Sequence, residues 1–257
     1  MTSELVAQRE WKDEQARITL RPQGPGDCNI TIFGSDSADS IPEVVSGAVQ
    51  LATVNPGAVL AMAANGKGPF KEKVPIRAIS VIGSYDQLAL GVHERTGTTS
   101  MEDLRDKKYP LKISVRGQND HKVHLVIKEV FRTYGFSGDD LWSWGGDLVY
   151  RDDLPAPRRV QSVADGEVDA LFDEAANQSV NKGIEAGMRI LPISETALQK
   201  LEGDGFRRGM LQQRLYPGLP ADVDTLDYSG FIRYTRERTR RTRWCVRSAR
   251  RSRRAKM

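Results

Sequence analysis

Few residues in this 257-residue chain have the types and spacing that chemistry requires. His121 and His124 stand three apart beside Asp120, a spacing that puts two imidazoles on one helix face. A stable metal site needs a third and a fourth ligand, and none is marked in the sequence. Asp139-Asp140 and Asp152-Asp153 offer paired carboxylates. Adjacent acids in a strand point to opposite faces, and in loops they are usually solvated. Gly66-Lys67-Gly68-Pro69 is a turn, because the proline forbids a helix interior after it. The chain contains no Gly-x-Ser-x-Gly elbow and no Gly-Lys-Ser/Thr phosphate loop. His93 completes the set of three histidines, and Cys28 and Cys245 are read as two free thiols. No catalytic residue, metal or cofactor is therefore assigned. What remains is one cation followed by polar donors, Arg116-Gly117-Gln118-Asn119-Asp120, and one acidic turn, Asp173-Glu174. These are tools for binding rather than turnover.

The elements around them read as strand and helix in alternation. Leu5 to Trp11 reads as one or two turns of helix, and Arg17-Ile18-Thr19-Leu20-Arg21 alternates like a strand. Ile30 to Phe33 leads through Gly34-Ser35-Asp36-Ser37 into a short helix, with Asp39 or Ser40 as N-cap, Pro42 in its first turn and an end at Gly47. Val49 to Val54 is an apolar strand that exits at Asn55-Pro56-Gly57 into a small-residue helix, Ala58 to Ala64. Strands follow at 76–82 and 87–92. Leu111 to Val115 is a further strand, and a helix runs from about His121 to Tyr134. Val123, Val126, Ile127, Val130, Phe131 and Tyr134 make its buried stripe, and Gly135 its stop. Met188 to Ile193 returns as a strand, and Glu195 to Leu201 begins another helix.

An internal echo pairs Val45-Ser46-Gly47-Ala48-Val49-Gln50-Leu51 with Ala164-Asp165-Gly166-Glu167-Val168-Asp169-Ala170. Each ends a helix at glycine and launches a strand. Two such α/β units about 120 residues apart imply two lobes. The expected division is 1–88 plus 194–235 for the first lobe and 89–193 for the second, with two chain crossings acting as a hinge.

Several segments together resemble the TAXI-type solute-binding proteins of TRAP transporters. They are Gly34-Ser35 with Val45-Ser46-Gly47, the helix, Gly166 and Glu167-Val168-Asp169-Ala170 unit, and Tyr216-Pro217-Gly218-Leu219-Pro220 followed by Asp222-Val223-Asp224-Thr225-Leu226. The resemblance covers about residues 16–235. It implies an α/β fold of the type II periplasmic-binding class, shared with the pyrimidine-precursor-binding proteins of the thiamine pathway, with mixed sheets flanked by helices and a ligand cleft between lobes. It also implies a monomer that delivers a small organic acid or amino acid to membrane permease subunits outside the cytoplasm. Met1 is followed by Thr-Ser-Glu-Leu-Val, with no basic segment and apolar run, so no export signal is read and the chain as written is expected in the cytoplasm. The family's first strand and ligand loop are not found before Arg17, which is the expectation for a chain shortened at that end.

In open α/β sheets ligands bind beyond the carboxyl ends of strands. That rule selects Ser35, Asp36 and Ser37, Asn55, Arg116, Gly117 and Asn119, and Asp173 with Glu174. Arg116 has the fork geometry to clamp a carboxylate. Ser35, Ser37 and Asn119 offer uncharged hydrogen bonds, and Asp173 or Glu174 suits an ammonium. The set fits a small anionic or zwitterionic solute. Ser35 and Asn119 serve equally well as helix N-caps, Arg116 as a surface ion-pair partner, and Trp142 and Trp144 either stack on a ligand or seal a core edge.

Charge is distributed unevenly. From Arg236 to Met257 there are 11 basic residues and one acid, a local +10, and the rest of the chain carries −6. Residues 236–257 are expected to be disordered or non-native, with the composition of a frame-shifted GC-rich reading. Nucleic-acid binding through this tail is the rival to solute binding, and an enzyme or ligand sensor on the same fold, using Asp173 or His121 as base, is another.

Overall fold

The computed structural model describes residues 3–10, 15–22, 30–34, 38–118, 120–151, 157–174 and 177–236. In chain order the elements are β1 (Ser3–Glu10), β2 (Gln15–Pro22), β3 (Ile30–Gly34), α1 (Ser40–Ser46), β4 (Leu51–Val54), α2 (Gly57–Asn65), β5 (Ile76–Ile82), β6 (Leu88–His93), α3 (Met101–Asp106), β7 (Lys112–Arg116) and α4 (Lys122–Tyr134). They continue as α5 (Gly138–Ser143), β8 (Asp147–Arg151), α6 (Pro157–Ala164), β9 (Ala170–Glu174), α7 (Asn177–Glu185), β10 (Met188–Ile190), α8 (Glu195–Gly203), β11 (Arg208–Leu211), β12 (Val223–Leu226) and β13 (Phe231–Arg236). The architecture is mixed α/β, as expected. The amino-terminal segment expected as helix is instead strand β1, paired along its whole length with β2. Seven residues cannot sustain a helix without a packed face, and the neighbouring strand supplies hydrogen bonds that a lone helical turn does not. Among the described residues no helix is long and apolar enough to cross a membrane.

The chain forms two compact units. The first comprises 1–54, 63–82 and 231–257, and the second 55–62 and 83–230. The first is built on a six-stranded sheet, β1-β2-β3-β4-β13-β5, in which only β3 and β4 run parallel. Helix α1 packs on β4 and β13, burying Ile41, Val44 and Val49 with Ala52 and Tyr234. The Tyr234 hydroxyl donates to Ser40 Oγ at 2.8 Å, so the ring enters the core without stranding its polar end. At the sheet's edge β5 pairs with β13 alone, and Ile79 and Val81 are more than half exposed.

The second unit is built on the sheet β10-β6-β9-β7-β8, in which β9, β7 and β8 run parallel. Its central strand β9 is covered on both faces. Phe172 meets Phe131 of α4 at a ring separation of 5.9 Å, whereas the adjacent Leu171 joins Val160 and Val163 of α6. Successive strand residues point to opposite sides, so helices flank the sheet on both. All six stripe residues expected on α4 are buried, each worth roughly 1.5–3 kcal/mol for a full apolar side chain. The compact units differ from the expected division at residues 55–62, 83–88 and 194–230, which group with the second unit. Helix α8 packs on α4, and Leu211, Tyr216, Leu219 and Val223 close a core with Val180 and Ile190. The Thr225 hydroxyl also donates to the Leu88 carbonyl at the start of β6.

The internal echo is structural as well as sequential. Gly47 and Gly166 both end a helix with φ near +80°, a conformation in which a side chain would be strained. Their N–H groups donate to Val44 and Val163, and those of Val49 and Val168 to Glu43 and Ser162. Gln50 N–H then donates to the Thr31 carbonyl, and Asp169 N–H to the Lys112 carbonyl. Each side chain completes the pair in reverse: Gln50 Oε1 accepts from Thr31 N–H at 2.8 Å, and Asp169 Oδ2 from Lys112 N–H at 3.0 Å. One construction, repeated 119 residues on, fixes a strand beside its parallel neighbour in each unit.

Candidate functional site

The carboxyl ends of the parallel strands β7 and β9 carry three of the residues expected to bind ligand. Arg116 is the last residue of β7, and Asp173 and Glu174 end β9. They meet, but chiefly each other. Arg116 Nη2 lies 2.7 Å from Glu174 Oε1 and 3.3 Å from Asp173 Oδ1. Asp173 Oδ2 is bound by Nη1 of Arg159, a side chain of α6 that is only 1% exposed. Arg159 also donates to the hydroxyl and the carbonyl of Ser114, so the buried guanidinium is paired and hydrogen-bonded, as a buried charge requires. Two guanidiniums thus face two carboxylates. Arg116 is not the unencumbered clamp the sequence suggests, and its neighbouring carboxylates hold its protonated form above the ordinary arginine range despite burial.

Histidines shape the same end of the sheet. His121 is the N-cap of α4, and its Nδ1 accepts from Val123 N–H at 3.1 Å. Its Nε2 lies 3.2 Å from Arg116 Nη1, in a contact whose donor and acceptor depend on the tautomer. His124 Nε2 is 2.9 Å from the Gln118 carbonyl, and burial pushes the ring's pKa down. The i, i+3 pair is therefore occupied in a cap and a loop contact. Among the described residues no group of three or more His, Cys, Asp or Glu is placed to hold a metal.

Near these ion pairs lie polar atoms that are enclosed yet make no hydrogen bond, Arg116 Nε, the Tyr228 hydroxyl and Asp86 Oδ1, and both amide atoms of Gln118, two residues beyond Arg116, are likewise enclosed and unbonded. Leaving such a group unsatisfied costs roughly 1–3 kcal/mol. Tyr228 is 1% exposed, and burial, with Glu174, Asp173 and Asp86 nearby, pushes its hydroxyl pKa well up. Asp86 lies in the turn before β6, where its carbonyl accepts from Tyr228 N–H at 2.9 Å and from the Ser229 hydroxyl. Burial raises its carboxyl pKa from 3.8 to about 6, with Asp173 adding to the rise and Arg116 opposing it. The sheet explains the meeting. Leu88 of β6 pairs with Glu174 in antiparallel register, so the residues just before β6 lie at the same end as the terminus of β9.

The other expected residues are placed as follows. Gly117 follows Arg116 and is half-buried. Asn55 ends the exit from β4 with its Oδ1 enclosed and unbonded, and contacts group it with the second unit. Ser35, Asp36, Ser37 and Asn119 lie outside the described residues, as do Cys28, Cys245, Asp152-Asp153 and the tail beyond Arg236. Trp144 stacks near Phe136 at 5.5 Å and seals a core edge, whereas Trp142 is 71% exposed on α5. Asp140 completes a capping box with Ser137, which gives one of the paired carboxylates a structural task. Sequence reasoning missed Asp86, Tyr228 and Arg159. Tyr228 belonged to a Tyr-Ser-Gly-Phe stretch, Asp86 to a polar turn and Arg159 to an arginine pair at a helix start, and nothing local joins them.

No curated protein matches the chain. Among solved structures it is similar to a TctC solute-binding protein from Polaromonas, at 15% identity and a TM-score of 0.45, covering 83% of this chain and 68% of that one. It is also similar to a choline-binding protein of an ABC transporter in complex with choline (13% identity, TM-score 0.43, 81% and 61% covered). The substrate-binding protein of an amino acid ABC transporter is matched at 14% identity and a TM-score of 0.35, over 77% of this chain and 61% of that one. The chain thus spans about three fifths of the length of that last protein and of a periplasmic transporter also matched, at 57%. Residues 26–240 match the NMT1-like family, and the chain belongs to it.

Proposed function

We propose that this chain is a solute-binding component of a transport system, taking up a small zwitterionic organic solute without chemical turnover. The observation that carries the reading is the buried cluster at the ends of β7 and β9, where unpaired donors and unpaired acceptors lie together. Arg116 Nε and the Gln118 amide can give hydrogen bonds, and Asp86 Oδ1 and the Tyr228 hydroxyl oxygen can receive them. Because Arg116 and Arg159 are already matched by Asp173 and Glu174, the cluster is not a cationic hole, and a simple anion would gain little there. A solute with both charges can use the unpaired donors and the unpaired acceptors together. Membership of the NMT1-like family and the resemblance of the ordered motifs to TAXI-type proteins support a role in TRAP-type uptake, as a monomer outside the cytoplasm handing solute to membrane permease subunits.

Thermal denaturation of the full chain against amino acids and organic acids tests this. Saturable stabilisation by zwitterions is expected, amounting to roughly 2.7 kcal/mol at a hundredfold excess over Kd. Unchanged substrate composition after prolonged incubation is expected as well. A flat response to every amino acid, or measurable turnover, would overturn the reading.

A further inference from the structure

We infer that the amine pole of the solute is received by Asp86 and the Tyr228 hydroxyl, not by Asp173 or Glu174. The inference rests on the solute-binding reading above and names the group that meets the cation. Asp173 and Glu174 are spent on Arg116 and Arg159. Asp86 has no such cation within ion-pair distance among the described residues. One of its oxygens, Oδ1, is enclosed and unbonded, and its carboxylate receives the backbone N–H of Gln87. Tyr228, almost wholly buried, places a second open oxygen in the same surroundings, and the backbone bond between Tyr228 and Asp86 ties the two positions together.

The charged and titratable neighbours of Asp86 are Asp173 on β9, Arg116 on β7, Asp227 after β12, and Tyr228 and Tyr216. Asp227 is itself held by Gln87 and Arg207. With Asp86 ionised the balanced ion pairs carry one surplus negative charge, and an ammonium group removes it. Binding of an amine therefore drives Asp86 to its charged form and releases a proton wherever the carboxyl was protonated beforehand. A carboxylate ligand would do the reverse.

Isothermal titration of the full chain with 4-aminobutyrate, butyrate and butylamine tests the assignment, at pH 6.0 and 8.0 in buffers of different ionisation enthalpy. The two amines are expected to bind, with proton release at pH 6.0 that disappears at 8.0, and butyrate is expected to bind at least tenfold more weakly. Asp86→Asn should weaken both amines about tenfold or more and abolish the proton release, since the charge-assisted hydrogen bond to the ammonium is lost. Tyr228→Phe, which keeps the ring in the core, should weaken them by a smaller factor. Butyrate binding as tightly as 4-aminobutyrate, or unchanged amine affinity in Asp86→Asn, overturns the amine pole and leaves solute binding standing. No binding of any of the three overturns both.

Discussion

Arg159 and Arg116 grip the same carboxylate from two sides, Arg159 at Asp173 Oδ2 and Arg116 at Oδ1. The first of these guanidiniums reaches its partner from α6 through the core, and it holds the end of β7 as well through Ser114. Replacing it leaves Oδ2 of a carboxylate that is 10% exposed without its guanidinium, with Arg116 still at Oδ1. Arg159→Met should cost about 3 kcal/mol in urea denaturation. The double variant Arg159→Met/Asp173→Leu should recover at least half of that loss, because it removes the charge along with its partner. Equal stability of the single and double variants would show that the ion pair is not the source of the cost.

Asp86 predicts a pH-dependent stability. Its folded pKa, about 6, stands above the ordinary 3.8 because burial disfavours the charged form. The folded state therefore binds the proton more tightly than the unfolded one. The contribution of Asp86 is fully favourable below about pH 4 and is lost as pH rises through 6. Asp86→Asn should stabilise the protein on the order of 2 kcal/mol at pH 8 and leave it nearly unchanged at pH 4. Matched chemical denaturation at the two values checks this; a difference larger at pH 4 than at pH 8 would contradict it.

The repeated strand lock makes a local prediction in each unit. Gln50→Ala should speed hydrogen exchange at the Thr31 amide and leave Lys112 unaffected, and Asp169→Ala should do the opposite. Each lost bond should cost about 1 kcal/mol. Asp169→Ala should cost somewhat more, because Arg95 lies 3.6 Å from the same carboxylate.

The sequence made α4 legible because six apolar residues recur at helical spacing and a glycine ends them, all within 15 residues. It made the lock legible through its glycines, although the reciprocal bonds of Gln50 and Asp169 became visible only with the neighbouring strands in place. Helix α8 was legible from Glu195 on, but the unit that residues 194–230 join was not. Their partners, Val180, Ile190 and α4, are distant in sequence, and a short strand such as Arg208–Leu211 carries no marked alternation. The candidate site divides in the same way. Arg116, Asp173 and Glu174 stand at strand ends, where a local rule finds them. Asp86 and Tyr228 are joined by a backbone bond across more than 140 residues, which no local rule reaches. Arg159 carried a misleading signal: arginines at a helix start are usually solvated, and this one is buried by the carboxylate it must neutralise.

Strand β5 has a consequence for the chain in company. Its seven residues contain no proline and one charge, Arg77, and Ile79, Val81 and Ile82 lie open to solvent at the margin of the first unit's sheet. Edge strands of this kind are normally blunted by lysines, bulges or a covering element. Here the pairing with β13 carries a register shift between Arg233 and Tyr234, so the irregularity that bends this margin lies one strand inward while the apolar side chains stay at the rim.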